Sequence, residues 1–346
     1  MKPPTLRDVA EAAQVSPAAV SKVLHGAGQS IRVSPARAEH IRMIAEKLNY
    51  RPNLLARNLR KSKTHTVGVL FENLTGLNDG PQYVSNLLDG VSSVLFKNHY
   101  RLTLLSEVDH HDIVGSLGDG QLDGVIWCKL ARNEEIRRLI RATPIPIVAF
   151  NAAKPETDSK AICVNCDNPG GIKLAVEHLW NLGHRRIVFA NESEEASTPD
   201  CVARRAAFVD AIREVGGEPG YVEEDWAFEG VPAKLVSEGI TGVICWSESL
   251  AGRFLVRASE TGVEVPKQIS VVGFDSTQYC DSTTPRLTAV RQPIREMAAH
   301  ATTILLEMIA EKQPNTRCVE FPCTFDIRES TARRSVPGLS SIGGVL

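Results

Sequence analysis

Residues 5–26 read TLRDVAEAAQVSPAAVSKVLHG, and this stretch holds two helix starts in close succession. Thr5 precedes an apolar stripe of Leu6, Val9, Ala10 and Ala13, with Asp8 three residues on to close a capping box, which predicts a helix over residues 6–13. Gln14 and Val15 leave room only for a tight turn. Ser16 is then a second N-cap, and Pro17 takes the first helical position, where its missing N–H costs nothing. On this second helix, residues 17–25, Val20, Val23 and Leu24 turn inward while Ala18, Ser21, Lys22 and His25 turn out. After a Gly-containing loop, Ser34 caps a third helix with Ile41, Ile44, Ala45 and Leu48 on one face. Two helices joined by so short a turn and braced by a third form a helix-turn-helix, which lays its second helix in the DNA major groove. A small helical bundle used for protein contact is the rival reading.

Charge separates this head from the rest. The 346-residue chain has a net charge of −2, yet residues 1–63 carry 12 Lys and Arg against 4 Asp and Glu, and the remainder carries 27 against 37. A basic head on an acidic body points to a polyanion that meets the head alone; a solvated basic face is the plainer alternative. The head ends in RPNLLARNLRKS, residues 51–62, with four basic residues, no acidic one, and leucines at 54, 55 and 59. A helix this short is marginal in water by itself, so its leucines need something outside the segment to cover them.

From Thr66 onward short apolar runs alternate with helical patterns. VGVLF (67–71), RLTLLS (101–106), GVIWC (124–128), PIVAF (146–150), RIVFA (186–190), GVICW (242–246) and SVVGF (270–274) read as buried strands. Strands alternating with helices predict parallel sheets covered on both faces, and the strands are too many for one compact unit, which favours two similar lobes. In such sheets ligands sit outside the carboxyl ends of the strands.

Apolar content of 43% and charged content of 23% are those of a soluble globular protein. No run of about 18 uncharged apolar residues is present and the N-terminus lacks the apolar core of a signal peptide, so a cytoplasmic protein without membrane contact is expected. The eight cysteines then read as reduced and mostly buried. CVNC (163–166) has metal-like spacing, but in a strand its sulfurs point to opposite faces. DHHD (109–112) offers metal-ligand types in adjacent positions, and GDGQLDG (118–124) precedes a strand, the wrong order for a dinucleotide loop. No catalytic residue, cofactor or metal is expected.

The wording of the head goes further than its pattern. TLRDVAEAAQVSPAAVSKVLHG followed by IRVSPARAEHIRMIAEKLNYRPNLLARNLR resembles the DNA-binding head of the lactose repressor (LacI/GalR) family of transcription regulators. DNPGGIKLAVEHLWNLGHRRIVFA, RRAAFVDAIREVG, VPKQISVVGFDS, TPRLTAVRQP and IRESTA look like further landmarks in family order, so nearly the whole chain is covered. The resemblance implies an all-α helix-turn-helix domain (1–50), a hinge helix and linker (51–65), a two-lobed α/β periplasmic-binding-protein-like domain (66–332) and a loose tail (333–346). The N-lobe would hold about 66–163 and 292–321, and the C-lobe about 164–291 and 322–332.

Roles carry over position by position. Pro17, Ala18 and Lys22 stand where family members read base edges, and Ser16 and Ser21 where they meet phosphates. Lys22 can donate to guanine O6 and N7, and Ala18 can touch a thymine methyl. Thr5, His25, Arg32 and Ser34 complete the DNA-contacting set of the head. Ala19 replaces a usual threonine, and Gln14 stands where glycine is frequent. Asn53, Ala56, Arg57 and Leu59 fall in the hinge helix, where a leucine at position 59 would wedge between base pairs of a palindromic operator held by a homodimer. Packing of Leu59 on the first strand of the body is the alternative. For the effector, a sugar or related metabolite, the matching positions are Tyr83, Asn151, Arg204, Trp226, Ser247, Asp275 and Gln292. WSES (246–249) replaces a common Asn-Asp pair, which sets this pocket apart from those of the best-known effectors. The competing classes are a sugar-converting enzyme, for which no paired acid and base is found, and an exported carbohydrate-binding protein, for which no signal peptide is found.

Overall fold

The computed structural model describes residues 4–25, 32–51, 63–72, 82–107, 117–128, 138, 140–153, 160–193, 196–223, 230–314 and 316–334. The chain separates into two compact units, Met1–His65 and Thr66–Leu346.

The first unit holds α1 (Leu6–Ala12), α2 (Pro17–His25) and α3 (Pro35–Lys47). The capping box closes as the sequence requires: the Asp8 amide donates to Thr5 Oγ1 at 3.4 Å, and the Thr5 amide donates to Asp8 Oδ2 at 2.6 Å. The turn between α1 and α2 places Gln14 at φ 54°, in the left-handed region that favours glycine. Val9, Val20 and Ile41 are fully buried where the three stripes meet, with Leu6, Val23, Leu24, Ile44 and Leu48 packed around them. Residues this apolar stabilise by roughly 1.5–3 kcal/mol each on burial, which is what lets such short helices hold. Asn53, Ala56, Arg57 and Leu59 lie outside the described residues.

The second unit is built on two six-stranded sheets. The first comprises β1 (Thr66–Glu72), β2 (Arg101–Glu107), β3 (Gly124–Cys128), β4 (Ile147–Phe150), β5 (Ile162–Cys166) and β11 (Cys318–Phe321) in the order β11-β5-β4-β3-β1-β2, all parallel. The second comprises β6 (Ile187–Asn191), β7 (Gly220–Glu223), β8 (Gly242–Cys245), β9 (Ser270–Asp275), β10 (Thr288–Arg291) and β12 (Thr324–Asp326) in the order β12-β10-β9-β8-β6-β7. Only β12 in that sheet runs antiparallel to its neighbour. Every residue of β3, β4, β5, β6, β8 and β9 is buried, as strands covered on both faces must be.

The helices lie between strands: α4 (Tyr83–Leu95), α5 (Asn168–Asn181), α6 (Pro199–Glu214), α7 (Val231–Ser237), α8 (Glu248–Glu260), the short α9 (Tyr279–Ser282) and α10 (Ile294–Ile309). The chain passes from one sheet to the other three times, after β5, β10 and β11. Helix α10 follows β10 of the second sheet yet packs on α4 and on β3, β4 and β5 of the first. Its approach to α4 needs a glycine, because a Cβ at Gly90 would lie 2.3 Å from the Arg295 carbonyl oxygen. Among the described residues no helix is long and apolar enough to cross a membrane.

The cysteines depart from the expected set of thiols. Cys163 and Cys318 are joined by a disulfide and the other six form none. The cause is topological: β11 lies beside β5 with Cys318 opposite Cys163 and a Cα separation of 4.5 Å, within reach of an S–S bond. These residues are 155 apart in sequence, so no local pattern announces the pair. Cys163 and Cys166 do point to opposite faces of β5, the first toward Leu70 and Trp127 and the second into the cluster with Phe150 and Val164.

Candidate effector and DNA-binding sites

The effector candidates gather at the carboxyl ends of the strands. Asn151 follows β4, Asp275 closes β9, Gln292 follows β10, Tyr83 opens α4 and Arg204 lies in α6. A hydrogen-bond chain joins them. Asn151 Nδ2 donates to the Tyr83 hydroxyl at 2.7 Å and to Gln292 Oε1 at 3.0 Å. Gln292 Nε2 donates to Asp275 Oδ1 at 2.5 Å, and the same oxygen lies 3.8 Å from Arg204 Nη2. The chain runs from α4 and β4 on the first sheet, through a crossover, to β9 and α6 on the second.

Asn151 is 2% exposed, and its Oδ1 is buried with no hydrogen-bond partner. Leaving such an acceptor unmet costs about 1–3 kcal/mol, so the arrangement has room for a donor that the protein does not supply. The loop carrying it is fixed by Asn165, whose side chain accepts from the Ala152 amide at 3.0 Å and donates to the Ala152 carbonyl at 2.9 Å. Asn151 has φ 46°, Asp275 φ 99° and Ser276 φ 49°. Non-glycine residues in this region cost of order 1–3 kcal/mol each, and such strain clusters at ligand sites.

Arg204 is the most enclosed charge of the group, 1% exposed. Its Nε donates to Asn168 Oδ1 at 2.8 Å and its Nη1 to the Trp246 carbonyl at 2.5 Å, and its guanidinium stacks 3.6 Å from the centre of the Phe274 ring. Asp200, one helical turn away, lies 3.8 Å from Nη2. Burial works against the charge, but Asp275 and Asp200 outweigh it and hold the guanidinium above its ordinary value. Desolvation, reinforced by Cys128 and Asp200, keeps the Tyr83 phenol well above the usual range and therefore protonated.

Ser247 is placed differently from a plain lining residue. It is the N-cap of α8, with its hydroxyl accepting from the Leu250 amide at 3.2 Å. Trp226 lies outside the described residues. The aromatic neighbour that the sequence reading passed over is Trp246, 7% exposed, whose ring centre is 5.9 Å from the Arg204 guanidinium. Asp200 was also passed over, although its i, i+4 spacing to Arg204 on one helix was a usable signal. Glu248 had none. It is fully buried at the start of α8, where Oε2 accepts from the Thr277 amide at 2.7 Å and from Cys280 Sγ at 3.1 Å, and Oε1 from the Thr277 hydroxyl. Burial, then the nearby Asp275, push its carboxyl up to about 7.

In the head, Pro17 and Ala18 are exposed and Lys22 is half-buried, on the outer side of α2. Ser16 Oγ accepts from the Ala19 amide at 3.2 Å and Ser34 Oγ from the Arg37 amide at 3.4 Å, so both hydroxyls cap helices. Thr5, Arg32 and Ser34 are exposed. Ser21 corrects the expectation of an outward residue: it is 8% exposed. At 100° per residue it sits on the flank between outward Ala18 and inward Leu24, and packing covers that flank. His25 closes α2. Among the described residues no group of three His, Cys, Asp or Glu could hold a metal ion.

Similarity to known proteins follows the same division. The family of bacterial regulatory proteins, lacI family, matches residues 5–53, and the periplasmic binding protein-like domain family matches residues 176–331. Over 345 residues the chain is 29% identical to the HTH-type transcriptional repressor PurR of Vibrio parahaemolyticus, covering 95% of this chain and 99% of that protein. Over 340 residues it is 27% identical to catabolite control protein A of Priestia megaterium, with coverages of 94% and 99%. Its fold matches the lac repressor dimer bound to operator and the anti-inducer ONPF with a TM-score of 0.81 at 23% identity, over 96% of this chain and 100% of that one. With helix-turn-helix, two-sheet body and full-length relatives in agreement, the chain is a transcription regulator of the LacI family, a DNA-binding head joined to a small-molecule effector domain.

Proposed function

We propose that this regulator is a homodimeric repressor whose effector is a sugar or a related polyhydroxylated metabolite, bound at Tyr83, Asn151, Arg204, Asp275 and Gln292. The observation that carries the reading is the buried Asn151 Oδ1 without a donor, on the same hydrogen-bond chain as the Asp275 carboxylate. Both are acceptors that hydroxyl hydrogens satisfy, and Arg204 adds a donor fork for a ring or carbonyl oxygen. Phe274 and Trp246 supply flat apolar surface nearby.

On the DNA side, each head reads one half of a palindrome, so two subunits are needed. Lys22 reads a guanine edge, Ala18 meets a thymine methyl, and Ser16, Arg32 and Ser34 hold phosphates. Asn53, Ala56, Arg57 and Leu59 order as a hinge helix on the operator, with Leu59 as the wedge. In this reading the regulator acts in the cytoplasm, on the nucleoid. The decisive experiment selects fragments of the source genome on immobilised protein, then titrates the bound fragment against a panel of sugars by gel shift, with calorimetry on the isolated sugars. A hydroxylated ligand that binds wild type, moves the gel shift and fails to bind Asp275→Ala supports the reading. A panel in which only non-hydroxylated compounds act would overturn it.

A further inference from the structure

Four of the eight cysteines fall on two neighbouring segments, Cys163 and Cys166 on β5, Cys318 on β11 and Cys323 just beyond it. They sort into two pairs on opposite sides of the sheet. Cys166 and Cys323 meet as thiols; their hydrogen bond, together with burial, pushes Cys166 well above the ordinary thiol range, which makes it a poor nucleophile. Cys163 and Cys318 face each other in register and are bonded.

The bonded pair is not sealed in. β11 is the edge strand of its sheet, so Cys318 is only partly buried while Cys163 is wholly buried. A groove of about 510 Å³ opens alongside, lined by Ala161, Ile162, Thr316 and Arg317, the flanking residues of both cysteines. A protein that acts on DNA meets a reducing milieu in which a dithiol ordinarily stays open. A reachable cross-strand pair in such a protein is a place where the redox state of the surroundings can be written into the chain.

We propose that Cys163 and Cys318 are an oxidisable dithiol through which a peroxide locks edge strand β11 onto β5 and restrains two of the three links between the sheets. The Cys318 thiolate attacks one peroxide oxygen, the O–O bond breaks, and hydroxide leaves and is protonated, giving a sulfenic acid. The Cys163 sulfur then attacks that sulfur; the S–S bond forms and the sulfenic oxygen departs as water with the Cys163 proton. Two thiols lose two electrons and one peroxide gains them, with two waters formed. Mechanical reach follows from register. The chain leaves β5 after Cys166 and leaves β11 after Phe321, and the Asp167 amide already donates to the Phe321 carbonyl at 2.8 Å. A covalent bond at Cys163–Cys318 lies three residues before both departures.

The test uses the full chain, reduced with dithiothreitol, desalted, exposed to hydrogen peroxide, alkylated under denaturing conditions and cut with trypsin. Cys163 and Cys166 share the peptide 161–173, and Cys318 and Cys323 share 318–328, so the wild-type bridge names segments and not atoms. Variants assign it. The bridge is expected in wild type and Cys323→Ser and absent in Cys318→Ser, a partly buried edge-strand position that tolerates the change, and in Cys163→Ser. Free thiols should fall from 8 to 6 on oxidation. Millimolar glutathione should reopen the bond in the folded protein, and amide exchange over 162–168 and 318–324 should slow severalfold in the oxidised form. No bridge after peroxide, or a bridge that survives Cys318→Ser, overturns the assignment. A bond that resists glutathione, or exchange that does not change, overturns the lock.

Discussion

Asp326, at the end of β12, accepts a hydrogen bond from the Ser276 hydroxyl at 2.5 Å. The same carboxylate pairs with Arg291, the last residue of β10, at 2.6 Å, and Arg328 Nη1 donates to the Ser276 hydroxyl at 3.1 Å. The left-handed turn that carries Asp275 is thereby tied to the two strands on which the chain passes between lobes. The Arg291 pair is about half-exposed and weak, so the hydroxyl contact dominates. Asp326→Ala is expected to lower the melting temperature by roughly 2–4 °C, for about 1 kcal/mol. Scanning calorimetry that finds no change would remove Asp326 from the support of the turn.

Arg204 and Asp275 should respond differently to substitution. Arg204→Ala leaves two buried carboxylates, Asp200 and Asp275, without their cation, a loss on the order of 3 kcal/mol. Asp275→Ala removes the proposed ligand acceptor yet leaves Arg204 paired with Asp200, so the fold should suffer less than the effector response. Chemical denaturation of both variants, beside gel shifts with and without effector, checks the order. Equal stability losses in the two would argue against this division of roles.

Glu248 makes stability depend on pH on the alkaline side. Its carboxyl is raised from 4.5 to about 7 in the folded chain, so the folded state holds more protons than the unfolded one between those values. Its contribution is complete below about pH 4.5 and is lost as pH rises through about 7, by about 3 kcal/mol at most. Glu248→Gln should flatten that part of the profile while keeping an acceptor for Thr277. Denaturation midpoints at several pH values decide; an unchanged slope in the variant excludes Glu248 as its source.

His178 and His184 give the opposite slope. His178 Nε2 lies 2.9 Å from the Thr331 hydroxyl and His184 Nε2 donates to the Ala332 carbonyl at 3.0 Å. Burial lowers both below 6.5, helped at His178 by the neighbouring His184. The unfolded chain therefore binds more protons, and stability is full above about pH 6.5 and falls as pH drops through the depressed values. His178→Gln should lessen the acid loss, as urea midpoints at about pH 5 and pH 7.5 would show. A variant as acid-sensitive as wild type would acquit His178.

For the hinge, Leu59→Ala should weaken specific operator binding on the order of 1–3 kcal/mol through lost kinking, with random DNA much less affected. Lys22→Ala should instead relax preference at one base pair per half-site and leave the bend intact. Equal losses on operator and random DNA, with a lower melting temperature in the absence of DNA, would mean that Leu59 packs on the body.

Much of this could be read in advance where the signal is local. The Thr5–Asp8 box, the Val9, Val20 and Ile41 stripes and the apolar strands are each set by residues a few positions apart, and Gln14 sits at the positive φ that its turn demands. The resemblance also picked out Tyr83, Asn151, Arg204, Asp275 and Gln292, which the structure brings together. What escaped depends on distant partners. Glu248 reads as an ordinary helix-start acid until Thr277 and Cys280 are seen around it. Ser21 reads as outward until the flank of α2 is packed. Cys163 needs β11 beside it before it has a partner.

The interleaving of the two sheets sets an order of synthesis. β11 must dock on β5 to complete the first sheet, but it leaves the ribosome only after all of β6 to β10 has been made. The lobe begun first therefore keeps an open edge until β11 has been made, and cannot mature as an autonomous nascent domain. Completion of that sheet is governed by long-range pairing, which is intrinsically slow. Any truncation before residue 318 strands an unfinished sheet edge, the kind of surface that invites other chains to pair with it.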